Sequence, residues 1–208
     1  MQKYFKEPFP AISHFFGILL SIAGLVILII ASGNNQEALF ASIVYGSSLI
    51  LLFLASTLTH GLHCEEHVAC HFEKCDYAAI FLLIAGTYTP ICLFVIKGFQ
   101  GWLMLGIEWS LALIGVYSVF KGSKRSKASQ VIIYLAMGWL FLFAIEPISM
   151  NLSNNLLSWL IGGGIFYTVG AIIFLINHPP IWKGHLSAHD IWHLMVLGGS
   201  ACHFILIN

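Results

Sequence analysis

The sequence predicts an all-α integral membrane protein, a seven-transmembrane helix bundle formed by a single domain. Hydrophobic residues make up 59% of the 208 residues and charged residues only 9%, and the mean hydropathy is +0.89. A soluble domain carries about 25% charged residues. The chain also divides into seven apolar runs, each close to the ~20 residues that a helix needs to cross a bilayer.

The seven runs follow one another with short polar links, so no stretch is left for a separate soluble domain. The first run follows "MQKYFKEPFP" and exceeds the ~7–15 apolar residues of a signal-peptide core, so we expect a retained span. Turn-forming residues separate later runs, as in "SGNNQE" and "KGFQG". Pro147 is expected to kink the fifth run. The predicted spans are 11–32, 38–60, 77–97, 101–120, 130–150, 156–176 and 187–207, within one domain, 1–208.

Basic residues concentrate on one side of the predicted bundle. With seven spans, the N-terminus and every second loop share a side, and the opposite side holds only Lys97. Because cytoplasmic loops carry the excess of Lys and Arg, we expect the N-terminus in the cytoplasm and the C-terminus outside. The chain has no basic arm that would indicate a nucleic-acid partner. The residues on the basic side are Lys3, Lys6, Lys74, Lys121, Lys124, Arg125, Lys127 and Lys183.

Polar side chains collect at the predicted cytoplasmic ends of three spans. Ser56 and His60 are four residues apart near the end of the second span, so they share one helix face. Asp76 stands at the start of the third span. Ionisable groups are costly inside a membrane, so the set predicts a functional site. The seventh span begins with three histidines, each four residues from the next: His185, His189 and His193.

Three neutral imidazoles with one open coordination position are the usual form of a catalytic zinc site. His189 and His193 can supply two ligands from one helix without strain. A third ligand must come from elsewhere, and His60 lies at the right depth. Spacing alone favours His60 only modestly over His63 and His67.

Three other polar residues at this depth are expected to support the zinc ion. Asp76 could accept or orient the proton of a water molecule. Ser56 could hydrogen-bond that water or steady a developing oxyanion. His14 lies near the start of the first span. At most, it is expected to contact one of the residues that bind the metal, not the metal itself.

The loop after His60 is itself rich in metal-binding side chains. Its spacing is not that of a paired-Cys ribbon or finger. Thiols in the reducing cytoplasm stay free. A solvated loop is the expected structure, and a second Cys/His metal site is the alternative. The residues concerned are His63, Cys64, His67, Cys70, His71 and Cys75.

Three ionisable residues, Glu108, Glu146 and His203, lie in the opposite half of the predicted bundle. His203 is ten residues past His193, about 15 Å along a helix, so it cannot join the zinc site. We expect a buried Glu–His hydrogen bond between helices. A second polar cavity or a proton path is the alternative.

Six stretches of the chain carry a family pattern: "SHFFG" (13–17), "SSLILLFLASTLTH" (47–60), "CDYAAIFLLIAGTYTP" (75–90), "YLAMGW" (134–139), "GGGIFYTVGAIIF" (162–174) and "HDIWHLMVLGGSACHF" (189–204). Together they resemble the bacterial hemolysin III family, within the progestin and adipoQ receptor superfamily. The resemblance covers essentially the whole chain. Two departures are the Cys/His-rich loop and Tyr77, which stands where bacterial members often have His.

The resemblance implies a seven-helix bundle with an intramembrane Zn²⁺ ion near the cytoplasmic face. The ligands that it implies are His60, His189 and His193. The serine of the S-x-x-x-H motif falls on Ser56, and the family aspartate, thought to hold the water at the metal, falls on Asp76. The location that it implies is a bacterial plasma membrane.

Three functions remain open at this point. The first is a zinc-dependent hydrolase of a lipid amide or ester, such as a sphingolipid, because the superfamily resembles alkaline ceramidases. The second is a membrane sensor or homeostasis protein in which the zinc is structural. The third is the pore-forming cytolysin that the family name implies, although no regular charged stripe for lining a wide pore is visible. Membrane lipids are the expected partners, and the oligomeric state is left open.

Overall fold

The computed structural model describes residues 5–122, 126–177 and 186–208, which are mostly helical. Within these residues, seven helical segments are long and apolar enough to cross a membrane, so the predicted fold class is confirmed. Which end faces the cytoplasm stays a prediction. Lys3, Lys124, Arg125 and Lys183 of the charge argument, and His185 of the histidine stripe, lie outside the described residues.

The helices are numbered in chain order, and polar residues define several of their ends. The Asn35 side chain accepts hydrogen bonds from the first turn of α2, as expected for an N-cap. A π-helical turn (Ile91–Ile96) extends α3, and a 3₁₀ segment (Leu140–Ala144) joins α5 to α6. The helices are α1 (Pro8–Ser32), α2 (Gln36–Gly61), α3 (Glu66–Pro90), α4 (Gly98–Phe120), α5 (Lys127–Gly138), α6 (Ile145–Asn151), α7 (Asn154–Ile176) and α8 (Ala188–Ile207).

Helix α3 begins at Glu66, eleven residues before the predicted span, so most of the predicted loop is helical. Hydropathy detects only the apolar part of a helix, and residues such as Glu66 and Lys74 do not stop a helix in water. Glu66 also places a carboxylate in the first turn of α3, where its negative charge interacts favourably with the helix dipole. Asp76 therefore lies inside α3 rather than at its start.

The fifth span, Lys127–Asn151, is not the continuous helix that its apolar run suggests. Helix α5 ends at Gly138, and helix α6 starts at Ile145. Pro147 was expected to kink this span, but it lies in the first turn of α6, where a missing N–H is tolerated. The break precedes Pro147 and is held by Tyr88 of α3, whose hydroxyl contacts Met137 O, Gly138 O and Phe141 N at 3.1, 3.0 and 2.8 Å.

The buried helix at the centre of the bundle is α3, where Phe81 and Ala85 are completely buried. Helix α1 lies at the periphery, with Leu20 and Ile30 about 70% exposed on a face suited to lipid. Helices α1 and α2 pack closely at Gly46, because a Cβ atom at this position would lie only 2.6 Å from Leu25 Cδ1. Helix α8 packs against both α1 and α7. The ends of α1, α2, α3 and α8 consequently meet at one end of the bundle.

Candidate metal centre

Three histidines from two helices converge at this end of the bundle. His60 lies in the last turn of α2, and His189 and His193 lie in the first two turns of α8. One nitrogen from each ring lies within 4.8 Å of the other two. The His189 and His193 Nε2 atoms are 3.1 Å apart. Among the described residues, this is the one such group of three or more possible ligands.

The start of α8 is fixed by its own sequence. Ser187 accepts a hydrogen bond from the backbone N–H of Asp190, and the Asp190 carboxylate accepts one from the backbone N–H of Ser187. This capping box sets where the helix begins. His189 and His193 follow on one face because they are four residues apart. Their convergence with His60, by contrast, depends on how α8 packs against α1 and α2.

Glu7, which the sequence analysis missed, lies directly behind two of the three histidines. Its Oε2 atom is 3.0 Å from His60 Nδ1 and 3.3 Å from His189 Nδ1. These hydrogen bonds, first from His189 and then from His60, hold the pKa of Glu7 well below its usual range. A signal was present in the sequence. Glu7 precedes Pro8 at the start of the first span, which seven-span topology puts at the same membrane face as His60 and His189.

His14 is buried on α1 beside the third histidine. Its Nε2 atom lies 3.0 Å from His193 Nδ1, and the two ring centroids are 4.3 Å apart. The structure thus places His14 against a candidate ligand, as the sequence analysis expected. It is not one of the three converging residues.

Asp76 and Ser56 lie next to this group but are not members of it. Asp76 Oδ2 is 3.7 Å from His60 Nε2, beyond a hydrogen bond but next to the ring nitrogen that Glu7 does not contact. Ser56 is 1% exposed, and its hydroxyl has no hydrogen-bond partner among the described residues. Buried hydroxyls are normally hydrogen-bonded, so Ser56 is available to a further molecule.

The arrangement fits a divalent metal ion. All three Nδ1 atoms contact another side chain, and the Nε2 atoms of His189 and His193 lie side by side. Two imidazole nitrogens at tetrahedral positions ~2.0–2.1 Å from zinc would be about 3.3 Å apart, close to the 3.1 Å between these two atoms. Histidines that share a metal typically hold their second nitrogen in a hydrogen bond. The His60–His189–His193 group could therefore hold a metal ion.

An apolar cavity adjoins the histidine group inside the bundle. Its wall includes Leu83, Ile84, Phe141, Leu160 and Val196 from helices on several sides. It reaches from His193 to His203 of α8, a distance of about 15 Å along the helix. Ser56, Asp76 and His193 also line this cavity.

A second, more polar depression opens at the same end of the bundle. Lys6, Glu7, His60 and His189 line it, and it shares Asp76 and His193 with the apolar cavity. The histidine group therefore lies where a polar opening meets an apolar interior. That position suits a molecule with one polar and one apolar part.

The Cys/His-rich segment after His60 forms no second cluster of ligands among the described residues. His67 and His71 are four residues apart on the exposed start of α3, and His71 Nδ1 contacts the His67 carbonyl at 2.6 Å. The thiols of Cys64, Cys70 and Cys75 are exposed and free. Much of the segment is therefore exposed helix rather than loop, and the choice between a solvated segment and a second metal site stays a prediction.

The expected Glu–His hydrogen bond in the other half of the bundle is not formed. Glu108 is completely buried, and both carboxyl oxygens lack a hydrogen-bond partner among the described residues. His203 Nε2 lies 3.3 Å from the Leu160 carbonyl instead, and Glu146 is exposed. The prediction was wrong because the three residues lie on separate spans. Sequence position gives the depth of each residue in the membrane, but it does not give the direction in which the side chain points.

Comparison with known proteins gives consistent matches over the whole chain. The family described as Haemolysin-III related matches residues 2–204. The chain is 44% identical to Hemolysin-3 of Bacillus cereus, over 100% of this chain and 93% of that protein. It is 42% identical to the Hemolysin-3 homolog of Bacillus subtilis (strain 168), over 95% and 90%. It is 32% identical to monocyte to macrophage differentiation factor of Homo sapiens, over 94% and 80%. The chain, with its seven membrane-length helices, is therefore a multi-pass membrane protein that belongs to the haemolysin-III related family.

Proposed function

We propose that this protein is a zinc-dependent hydrolase that cleaves an amide or ester bond in a membrane lipid. One observation carries the proposal: the possible metal ligands lie where the apolar cavity meets the polar depression. An acyl chain would occupy the cavity, and the polar head group would remain in the depression. The bond between the two parts of such a lipid then lies beside His193, Asp76 and Ser56.

Zinc is the metal that the ligand set favours. Imidazole suits Zn²⁺ and other transition metals, whereas Mg²⁺ and Ca²⁺ prefer oxygen ligands. Three histidines leave a fourth position open, as in catalytic zinc sites. When bound, the ion would polarise the lipid carbonyl and acidify a water molecule.

Asp76 and Ser56 have distinct roles in the proposed reaction. The Asp76 carboxylate accepts a proton from the attacking water and passes it to the leaving nitrogen or oxygen as the carbon–nitrogen or carbon–oxygen bond breaks. The Ser56 hydroxyl, which has no partner within the described part of the chain, donates a hydrogen bond to the carbonyl oxygen as negative charge develops there. The products are a fatty acid and an amine or alcohol. The apolar wall of the cavity keeps the acyl chain out of water throughout.

We place the protein in the bacterial plasma membrane, with the histidine group near the cytoplasmic face. Two bacterial relatives and the distribution of basic residues support this placement. A lipid substrate would then enter from the membrane. The main alternative is a membrane sensor in which the ion only ties α2 to α8.

The decisive experiment combines metal analysis with lipid turnover in liposomes that contain an entrapped dye. Wild type is expected to hold about one zinc ion per chain, as for a three-histidine site, and to release fatty acid. His189→Ala/His193→Ala should lose both properties. The matched control is His67→Ala/His71→Ala, an exposed pair with the same spacing, which should retain both.

Three results would contradict the proposal. Zinc retained by the His189/His193 variant would place the metal elsewhere. Bound zinc with no turnover over a broad panel of lipid amides and esters would favour the sensor. Dye release by the wild type without lipid cleavage would favour a pore-forming protein.

A further inference from the structure

We propose that Glu7 is a positioning residue of the metal centre, which turns two of the three ligands toward the ion through a single carboxylate oxygen. The inference rests on the proposed metal site but not on lipid hydrolysis. It assigns a role to the segment before α1. Glu7 Oε2 contacts Nδ1 of both His60 and His189.

The contact with Glu7 selects one protonation form of each ring. A neutral imidazole carries one N–H, on either Nδ1 or Nε2. An ionised carboxylate only accepts hydrogen bonds, so the Nδ1 atoms of His60 and His189 must carry the hydrogen. The Nε2 lone pairs are then free for a metal ion. Glu7 thereby favours the metal-binding tautomer of both rings.

Glu7 is held in place by its backbone as well as by its side chain. Its N–H donates to the His60 carbonyl at 2.8 Å, and its own carbonyl accepts from Ala11 N–H at 3.2 Å. Pro8 follows at the first position of α1, where its fixed backbone angle suits a helix start. The carboxylate therefore connects the starts of α1 and α8 with the end of α2.

Glu7 and Asp76 contact opposite edges of the His60 ring. Glu7 lies 3.0 Å from Nδ1, whereas Asp76 lies 3.7 Å from Nε2. The first acid contacts the nitrogen that carries the hydrogen, and the second lies beside the nitrogen that is left for a metal ion. Asp76 can therefore meet a substrate or water at the ion, while Glu7 acts only through the rings and adds negative charge that favours a cation.

His14 completes the arrangement for the third ligand. With the His193 Nε2 lone pair free for a metal, His193 Nδ1–H can donate to the His14 ring, whose Nε2 and Nδ1 atoms lie 3.0 and 3.3 Å away. The His193 carbonyl, 3.3 Å from His14 Nε2, is a further acceptor for that ring. His14 contacts one ligand ring, whereas the Glu7 carboxylate contacts two. We therefore expect the metal affinity to depend on Glu7 more strongly than on His14.

The test measures zinc affinity of the full-length protein by competition with a chelator. Hydrogen-bond partners of metal-binding histidines typically contribute about 10–100-fold to affinity, so Glu7→Ala is expected to weaken binding by that factor. Glu7→Gln keeps an acceptor oxygen but loses the charge and should lie between wild type and Glu7→Ala. Glu66→Gln removes an exposed carboxylate at the same end of the bundle and is the matched control, expected to bind like wild type.

Two further measurements separate positioning from folding. Thermal unfolding of the metal-free proteins should be alike for wild type and Glu7→Gln, and the visible spectrum with Co²⁺ should change in the Glu7 variants. Glu7→Ala that binds zinc as tightly as wild type, with the same Co²⁺ spectrum, would overturn the inference while leaving the proposed function intact. Tight zinc binding that depends on Glu7, without any lipid turnover, would support the inference and refute the hydrolase.

Discussion

His14 and the three converging histidines differ in which ring nitrogen contacts a neighbouring side chain. In His60 and His189 the Nδ1 atom faces Glu7, and in His193 it faces His14. His14 contacts a candidate ligand but does not join the group, because its ring lies behind that of His193. Residue type alone would make all four equal candidates. The direction of each ring separates ligands from supporting residues.

Asp76→Asn is expected to keep the metal and lose the reaction. Asp76 lies 3.7 Å from His60 Nε2 and is not needed to orient that ring, which Glu7 holds from the other edge. Loss of a general acid–base group lowers the rate by about 10²–10⁴-fold. Zinc content and fatty-acid release, measured on the same preparation, test this prediction.

The control for Asp76→Asn is Glu65→Gln, which changes an exposed acid at the same end of the bundle that lines neither the apolar cavity nor the polar depression, and it should preserve turnover. If Asp76→Asn lost its zinc together with its activity, Asp76 would be a ligand rather than a proton-transfer residue. Unchanged turnover would show that the carboxylate takes no part in the reaction.

The interruption of the fifth span is the element that departs most from its apolar pattern. A break in a membrane helix leaves backbone groups without partners, and in a bilayer these must be satisfied by protein. Tyr88 of α3 does this at the end of α5, since its hydroxyl lies near two carbonyls and accepts from Phe141 N–H. Trp139 Nε1–H donates to Thr168 of α7 at 3.0 Å and holds the break from the other side.

Tyr88→Phe is expected to destabilise the protein by about 1–3 kcal/mol, the cost of leaving a buried backbone group unpaired. Unfolding by denaturant in detergent micelles measures the change. Tyr117→Phe, which removes the hydroxyl of an exposed tyrosine on α4, is the control and should have little effect. Equal stability of Tyr88→Phe and wild type would mean that the backbone alone holds the break.

The positions of the exposed and buried cysteine thiols make it possible to measure how the whole molecule is oriented in the membrane. Cys64, Cys70 and Cys75 are exposed at the end of the bundle that carries the histidines, while Cys92 and Cys202 are buried. The excess of basic residues predicts that this end faces the cytoplasm. The natural cysteines can therefore test a prediction that the fold by itself leaves open.

A membrane-impermeant maleimide is expected to label the protein in inverted membrane vesicles but not in intact spheroplasts. Replacing Cys64, Cys70 and Cys75 with serine should abolish labelling, because the two buried thiols are inaccessible. Adding Asn34→Cys, in the exposed turn between α1 and α2, should restore labelling from the outside only. Labelling of wild type in spheroplasts alone would reverse the predicted orientation.

The apolar runs of the sequence were sufficient to predict seven membrane-length helices, because burial in lipid requires about twenty apolar residues whatever the neighbouring helices do. The His189 and His193 pair was equally readable, since helical periodicity puts residues four apart on one face. These are properties of each segment by itself. The full length of α3 and the break in the fifth span were not readable, because a helix can extend beyond the membrane and a break depends on a partner such as Tyr88.

Spacing left His60, His63 and His67 open as the third ligand, and before the structure only the resemblance favoured His60. The tertiary structure brings His60 to the α8 pair, and it alone revealed Glu7 behind two ligands. It also joined an apolar cavity from several helices to the histidine group. The physical reason is the same in each case. Hydrophobicity and periodicity give the depth and face of a residue within its own helix, but the rotation and packing of the helices decide which side chains meet.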